Sequence, residues 1–120
     1  MSGEDPLAEG LRAFEAGSYY EAHEAWEEVW RQMEQGPDRE ALQGLIQAAA
    51  ALYHLERDNL VGARKVGARA LERLRRAPSP WCGLRLRALG HVLERALDAG
   101  EAPASVAGLL GGGGPGRDGP

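Results

Sequence analysis

Hydrophobic positions recur along this chain at helical spacing, and five helices can be read from them. Leu7, Leu11 and Phe14 supply the apolar face of a first helix from about Pro6 to Ala16. Asp5 stands where a cap belongs, Pro6 suits the first helical position, and Gly17 closes the element. A second helix begins at Ser18, with Glu21 completing a capping box, and runs to about Gln35, where Gly36-Pro37 cannot continue it. The third spans Pro37 and Asp38 to about Arg57. Asn59 caps a fourth, which reaches Arg76 before Pro78-Ser79-Pro80 stops it. Leu86, Leu89, Leu93 and Leu97 line a fifth from about Gly83 to Ala99, closed by Gly100.

Beyond that point the pattern fades. Ala102 to Leu110 reads as a short turn or a cover for a groove, and the final ten residues, GGGGPGRDGP, have no apolar payload to offset their ordering entropy. The expected division is one helical domain over residues 1–108 and a glycine-rich, disordered tail over 109–120. A faint internal echo aligns FEAGSYYEA, starting at Phe14, with LERDNLVGA, starting at Leu55. It predicts two antiparallel helical hairpins followed by a C-terminal helix: an all-α, compact bundle. Two copies fall short of the three or so repeats that a solenoid needs.

Composition narrows the class without changing it. A chain of 120 residues, 43% hydrophobic and 27% charged, is sized for one soluble domain with a single core. The N-terminus, MSGEDPLAEG, has no apolar stretch of the signal-peptide kind, and no apolar run approaches the roughly 20 residues of a membrane helix. A single cysteine, Cys82, excludes an internal disulfide and a cysteine-based zinc site, so a cytoplasmic address is expected. The net charge of −4 conceals a gradient: residues 1–40 carry eleven acidic and three basic side chains, residues 57–87 nine basic and two acidic. The basic residues are not interleaved with aromatics, which disfavours nucleic acid as a partner. Complementary halves leave a homo-oligomer or a protein partner open.

Candidate chemistry concentrates on the second helix. Ala22, Trp26, Val29 and Met33 make its core stripe, flanked by Tyr19 and Trp30. His23 falls beside Trp30 on the edge of that stripe, with Glu27 one turn further on and next outward. The other charged residues, Glu21, Glu24, Glu28 and Arg31, fall on the opposite, solvated side. The third helix carries no formal charge from Ala41 through Leu55. Its Gln43, Gln47 and His54 project onto one narrow strip that includes Ala50. Buried polar groups need partners, so His23, Glu27, Gln43, Gln47 and His54 are expected to cluster between the two helices, with Trp30 beside them.

His23, Glu27 and Trp30 spell H-x-x-x-E-x-x-W within FEAGSYYEAHEAWEEVW. QGLIQAAAALYHL follows, and then N-x-x-G-A at Asn59, Gly62 and Ala63. In these three motifs and their order, residues 10–75 resemble the bacterial and archaeal domain-of-unknown-function family numbered 309. The resemblance implies an all-helical fold and a site at His23, Glu27 and Trp30, with metal binding as a suggested but unestablished property.

Function is unknown at this level, and several readings compete. In the first, the polar cluster locks helix register in a structural or interaction domain. In the second, His23, Glu27 and His54 hold a divalent metal, with Trp30 as a wall and an open position for a ligand. In a third, the cluster is a metal-free pocket with Glu27 as base and His23 as acid or orienter. No phosphate-binding loop, nucleophile elbow or dinucleotide fingerprint is present to select a reaction. His91 projects from the solvent face of the fifth helix, away from all of this.

Overall fold

The computed structural model describes residues 5–111. Five helices follow one another: α1 (Pro6–Glu15), α2 (Tyr19–Trp30), α3 (Pro37–Glu56), α4 (Leu60–Arg76) and α5 (Leu86–Ala99). α1 packs on α2 and α3 on α4; α2 lies against α3, and α5 against α4 and α3. This is the all-α bundle of two hairpins plus a C-terminal helix that the hydrophobic spacing predicts. No helix among the described residues is long and apolar enough to cross a membrane.

α3 occupies the middle. Ala41, Leu42, Leu45, Ala48, Ala49, Ala51 and Leu52 are fully buried along it, which is why its uncharged stretch from Ala41 through Leu55 is stable here. Gly44 lets the α4 backbone approach, because a Cβ there would stand 3.1 Å from Arg73 Cβ and 3.2 Å from Leu74 Cδ2. α1 and α2 close around three aromatic rings. Phe14 lies 5.4 Å from Tyr19 and 5.7 Å from Trp26, centroid to centroid. The Trp26 indole, fully buried, donates to the Leu7 carbonyl at 3.1 Å.

The sequence echo has a structural counterpart in the two hairpin turns. Ser18 N–H donates to Ala13 O and Asn59 N–H to His54 O, each at 2.8 Å and each five residues back. Gly17 (φ 84°) and Asp58 (φ 59°) occupy the same left-handed position in the two turns. The caps then diverge. Asn59 Oδ1 accepts from Gly62 N at 3.1 Å, as expected, whereas the Ser18 side chain makes no capping bond, so the expected box with Glu21 does not form.

Two helix boundaries also differ from expectation. α2 ends at Trp30, five residues before Gln35, because its last turn tightens: Gln32 N–H donates to Val29 O and Met33 N–H to Trp30 O. Arg39 Nε adds a 3.4 Å bond to the Trp30 carbonyl. α5 starts at Leu86 instead of Gly83. Trp81 and Leu84 exchange backbone bonds around Cys82 (φ 50°) and Gly83 (φ 76°), a tight turn that must finish before helix can begin.

After α5 the chain crosses back over the body. Val106 and Leu110 are buried, and the Leu110 carbonyl accepts from Arg85 N at 2.7 Å. Of the expected tail, residues 109–111 are therefore seen against the helices. Residues 112–120, to which disorder was assigned from composition, lie outside the described residues.

Candidate functional site

α2 and α3 cross with their polar edges facing, and two small clefts open along the seam. The first, about 230 Å³, is lined by His23, Glu27, Trp30, Gln43, Gln47 and apolar Ile46, Ala50 and Val66. The second, about 180 Å³, is lined by Tyr20, His23, Ala50, Tyr53 and His54. His23 and Ala50 belong to both. Ala50 is small enough to leave the clefts open where a larger side chain would fill them.

The six site residues expected from the sequence are thus brought to one seam, but divided. His23, Glu27, Trp30, Gln43 and Gln47 share the first cleft, while His54 joins only His23 in the second. They are half-buried and not core: no polar or charged side chain among the described residues is fully buried. His23 retains 25% of its side-chain exposure and Glu27 32%, so a ligand from solvent can reach both.

Hydrogen bonding distinguishes the members. Among the described residues no bond joins His23 to Glu27. Arg31 Nη2 instead reaches Glu27 Oε1 at 3.3 Å and Arg31 Nη1 reaches Glu28 at 3.6 Å. The His23 Nδ1 is buried and has no hydrogen-bond partner; its nearest acidic oxygen, Glu24 Oε2, stands at 3.6 Å, too far for a hydrogen bond. Trp30 Nε1 is buried and unpartnered as well. The Trp30 ring is fixed by the Arg39 guanidinium, 3.7 Å from its centroid.

His54 is committed locally. Asn59 Oδ1 already accepts from Gly62 N, so the Asn59 amide nitrogen that meets His54 Nδ1 at 3.1 Å is the donor, and the neutral imidazole carries its proton on Nε2. Gln47 is committed on one side: its Oε1 accepts from Arg73 Nη1 at 3.1 Å, and Arg73 Nε also donates to Glu40 Oε1 at 3.1 Å.

Three residues of the seam were not singled out by sequence. Glu24 sits on the exposed side of α2, yet His23, Glu24 and Glu27 each offer a ligand atom within 4.8 Å of the other two. The i,i+3 spacing of Glu24 and Glu27 was the available signal. Tyr20 and Tyr53 pack at 5.4 Å, with Tyr20 stacked on His23 at 6.4 Å, and give the second cleft its aromatic wall.

A cation fits these donors on chemical grounds. Atoms bound at about 2.1 Å from one ion stand at most about 4.2 Å apart, so a 4.8 Å spread needs only a small side-chain rotation. One imidazole and two carboxylates suit a borderline or hard divalent ion, and the unpartnered His23 Nδ1 is a nitrogen in want of a partner.

Comparison with known proteins places the chain among others without an assigned role. The profile of the family described as Domain of unknown function (DUF309) matches residues 7–66. An uncharacterised protein of Aquifex aeolicus (strain VF5) is 32% identical over 95 residues, which is 79% of this chain and 28% of that protein. The uncharacterised protein YpuF of Bacillus subtilis (strain 168) is 38% identical over 53 residues, 44% of this chain and 30% of that protein. The matched regions account for under a third of either relative's length.

Proposed function

Starting from the fact that this chain belongs to the DUF309 family, whose two relatives above have no assigned activity, we propose that it is a divalent-cation-binding domain with its site at the α2–α3 seam. His23 and Glu27 are the ligands, Glu24 a third donor, and Trp30 the wall of the adjoining cleft. The observation that carries this reading is His23: its buried Nδ1 lacks a hydrogen-bond partner, and a ring nitrogen of the same imidazole lies within 4.8 Å of carboxylate oxygens from both Glu24 and Glu27. A buried imidazole nitrogen left unsatisfied costs stability, and an ion shared with Glu24 and Glu27 removes that cost. When bound, the ion supplies a positive centre able to polarise an oxygen of whatever enters the cleft.

His54 enters this reading as a second-cleft residue and not as a first choice of ligand, because its Nδ1 is taken by Asn59. The lone exposed thiol, Cys82, fits a reducing compartment, so a cytoplasmic location is part of the proposal.

Calorimetric titration with zinc, manganese and ferrous iron tests it. The parent is expected to take up one equivalent of at least one of them, and Glu27→Ala to take up none while remaining folded. Unchanged uptake in Glu27→Ala removes Glu27 from the ligand set. No uptake of any of the three by the parent transfers the weight to the other reading, a structural or protein-binding helical domain. The exposure of Tyr20, 53%, favours that alternative.

A further inference from the structure

Gln47 and Arg73 say what kind of group the first cleft recognises. An arginine side chain has donors only, so the Gln47 atom that meets Arg73 Nη1 at 3.1 Å must be its oxygen. Arg73 cannot readily swing away, being held also through Nε by Glu40 at 3.1 Å. The Gln47 amide is therefore oriented, and its NH2 makes no hydrogen bond among the described residues. Gln47 lines the same cleft as Trp30, whose buried Nε1–H, also a donor, is without a partner. Gln43 adds another amide one turn away on α3. Two of these donors, then, have their polarity fixed: Gln47 faces His23 and Glu27 from α3, and Trp30 stands beside them on α2.

The geometry points to an oxyanion, the carboxylate or phosphate group of a small molecule, as the ligand of this cleft, with Gln47 as its contact and Arg73 as the residue that positions Gln47. The inference rests on the cation reading above, since the Glu24 and Glu27 carboxylates repel an anion unless a cation lies between them. The oxyanion then meets the positive charge of the ion together with N–H donors from Gln47 and Trp30.

The indole N–H groups give a direct readout. Trp26 donates to Leu7 O at 3.1 Å and Trp81 to Asp38 Oδ1 at 2.9 Å, so Trp30 is the tryptophan whose N–H is free to respond. The experiment follows the three indole signals by NMR in zinc-treated protein while acetate, inorganic phosphate or methylammonium is added. Gln47→Glu is the matched variant: it keeps an oxygen toward Arg73 and nearly the same volume, but removes the NH2. The expected result is a saturable shift of the Trp30 signal with acetate or phosphate, none with methylammonium, and binding about tenfold weaker in Gln47→Glu. Whichever anion binds more tightly identifies the source of the oxyanion. No shift in protein shown to hold zinc, or equal binding by parent and variant, overturns the inference and leaves the cation reading standing. An anion response in protein that takes up none of zinc, manganese or ferrous iron upholds the donor assignment and overturns the cation reading. Absence of any response in protein that takes up none of the three metals overturns the two together.

Discussion

At the scale of single residues, partners decide which groups can act. His23 and His54 both lie on the seam, yet Asn59 satisfies one imidazole and leaves the other with a buried, unpartnered nitrogen. The position of His23 beside the apolar stripe was legible in the helical period, and so was the strip of Gln43 and Gln47 opposite. The role of Arg73 was not, because it depends on a contact across 26 residues of chain. Tyr19 carries the clearest pH dependence. Its hydroxyl is pushed from 10.0 up to about 12, first by burial and then by the Glu56 carboxylate. Below pH 10 the ring is protonated whether the chain is folded or not. Between about 10 and 12 the unfolded chain loses this proton while the folded one keeps it, so stability falls as pH rises through that window. Alkaline absorbance titration should show one of the three tyrosines ionising near 12, and Tyr19→Phe should remove that step and lessen the loss of stability. A late step that persists in Tyr19→Phe would assign it to another ring.

At the scale of helices, turns and close approaches explain what periodicity could and could not reveal. The echo between the segments starting at Phe14 and Leu55 correctly marks two turns of one design, since Gly17 and Asp58 share a left-handed conformation and Ser18 and Asn59 the same backbone bond. Helix ends were read less well. Nothing in the spacing of Val29 and Met33 signals that the last turn of α2 tightens, and the Cys82-Gly83 turn before α5 does not follow from apolar period. Glycines inside helices separate the effects of propensity and packing. A Cβ at Gly10 would overlap the Trp26 indole, which is buried and anchored to Leu7 O, so the ring cannot yield. Gly10→Ala should therefore lower stability by about 1–3 kcal/mol despite the better helix propensity of alanine. Gly90 in α5 is the control, because a Cβ there meets nothing closer than Leu74 Cβ at 4.0 Å. Gly90→Ala should gain up to about 1 kcal/mol. Denaturant melts of both variants check the pair, and a neutral Gly10→Ala would mean that α1 moves on α2 at little cost.

At the scale of the molecule, α3, without formal charge from Ala41 through Leu55, is the pivot on which both hairpins and α5 assemble, and that much follows from its composition. The class of fold, the number of helices and the pairing of hairpins were all within reach of the hydrophobic pattern. The division of the polar cluster into two clefts was not, because it depends on the crossing of α2 over α3 and on Ala50 being small. Nor could periodicity show that Val106 and Leu110 return to the core, since a short irregular segment carries no period. The family relationship supplies a lineage without an activity, so the central claim rests on His23 and its two carboxylates. Its most direct test is elemental analysis of untagged protein purified without chelators, beside His23→Ala prepared in the same way. The account predicts near-stoichiometric divalent metal in the parent and a loss of it in the variant, with both chains folded. Metal-free parent protein that stays metal-free after incubation with zinc, manganese and iron, or equal metal in the two chains, would contradict it.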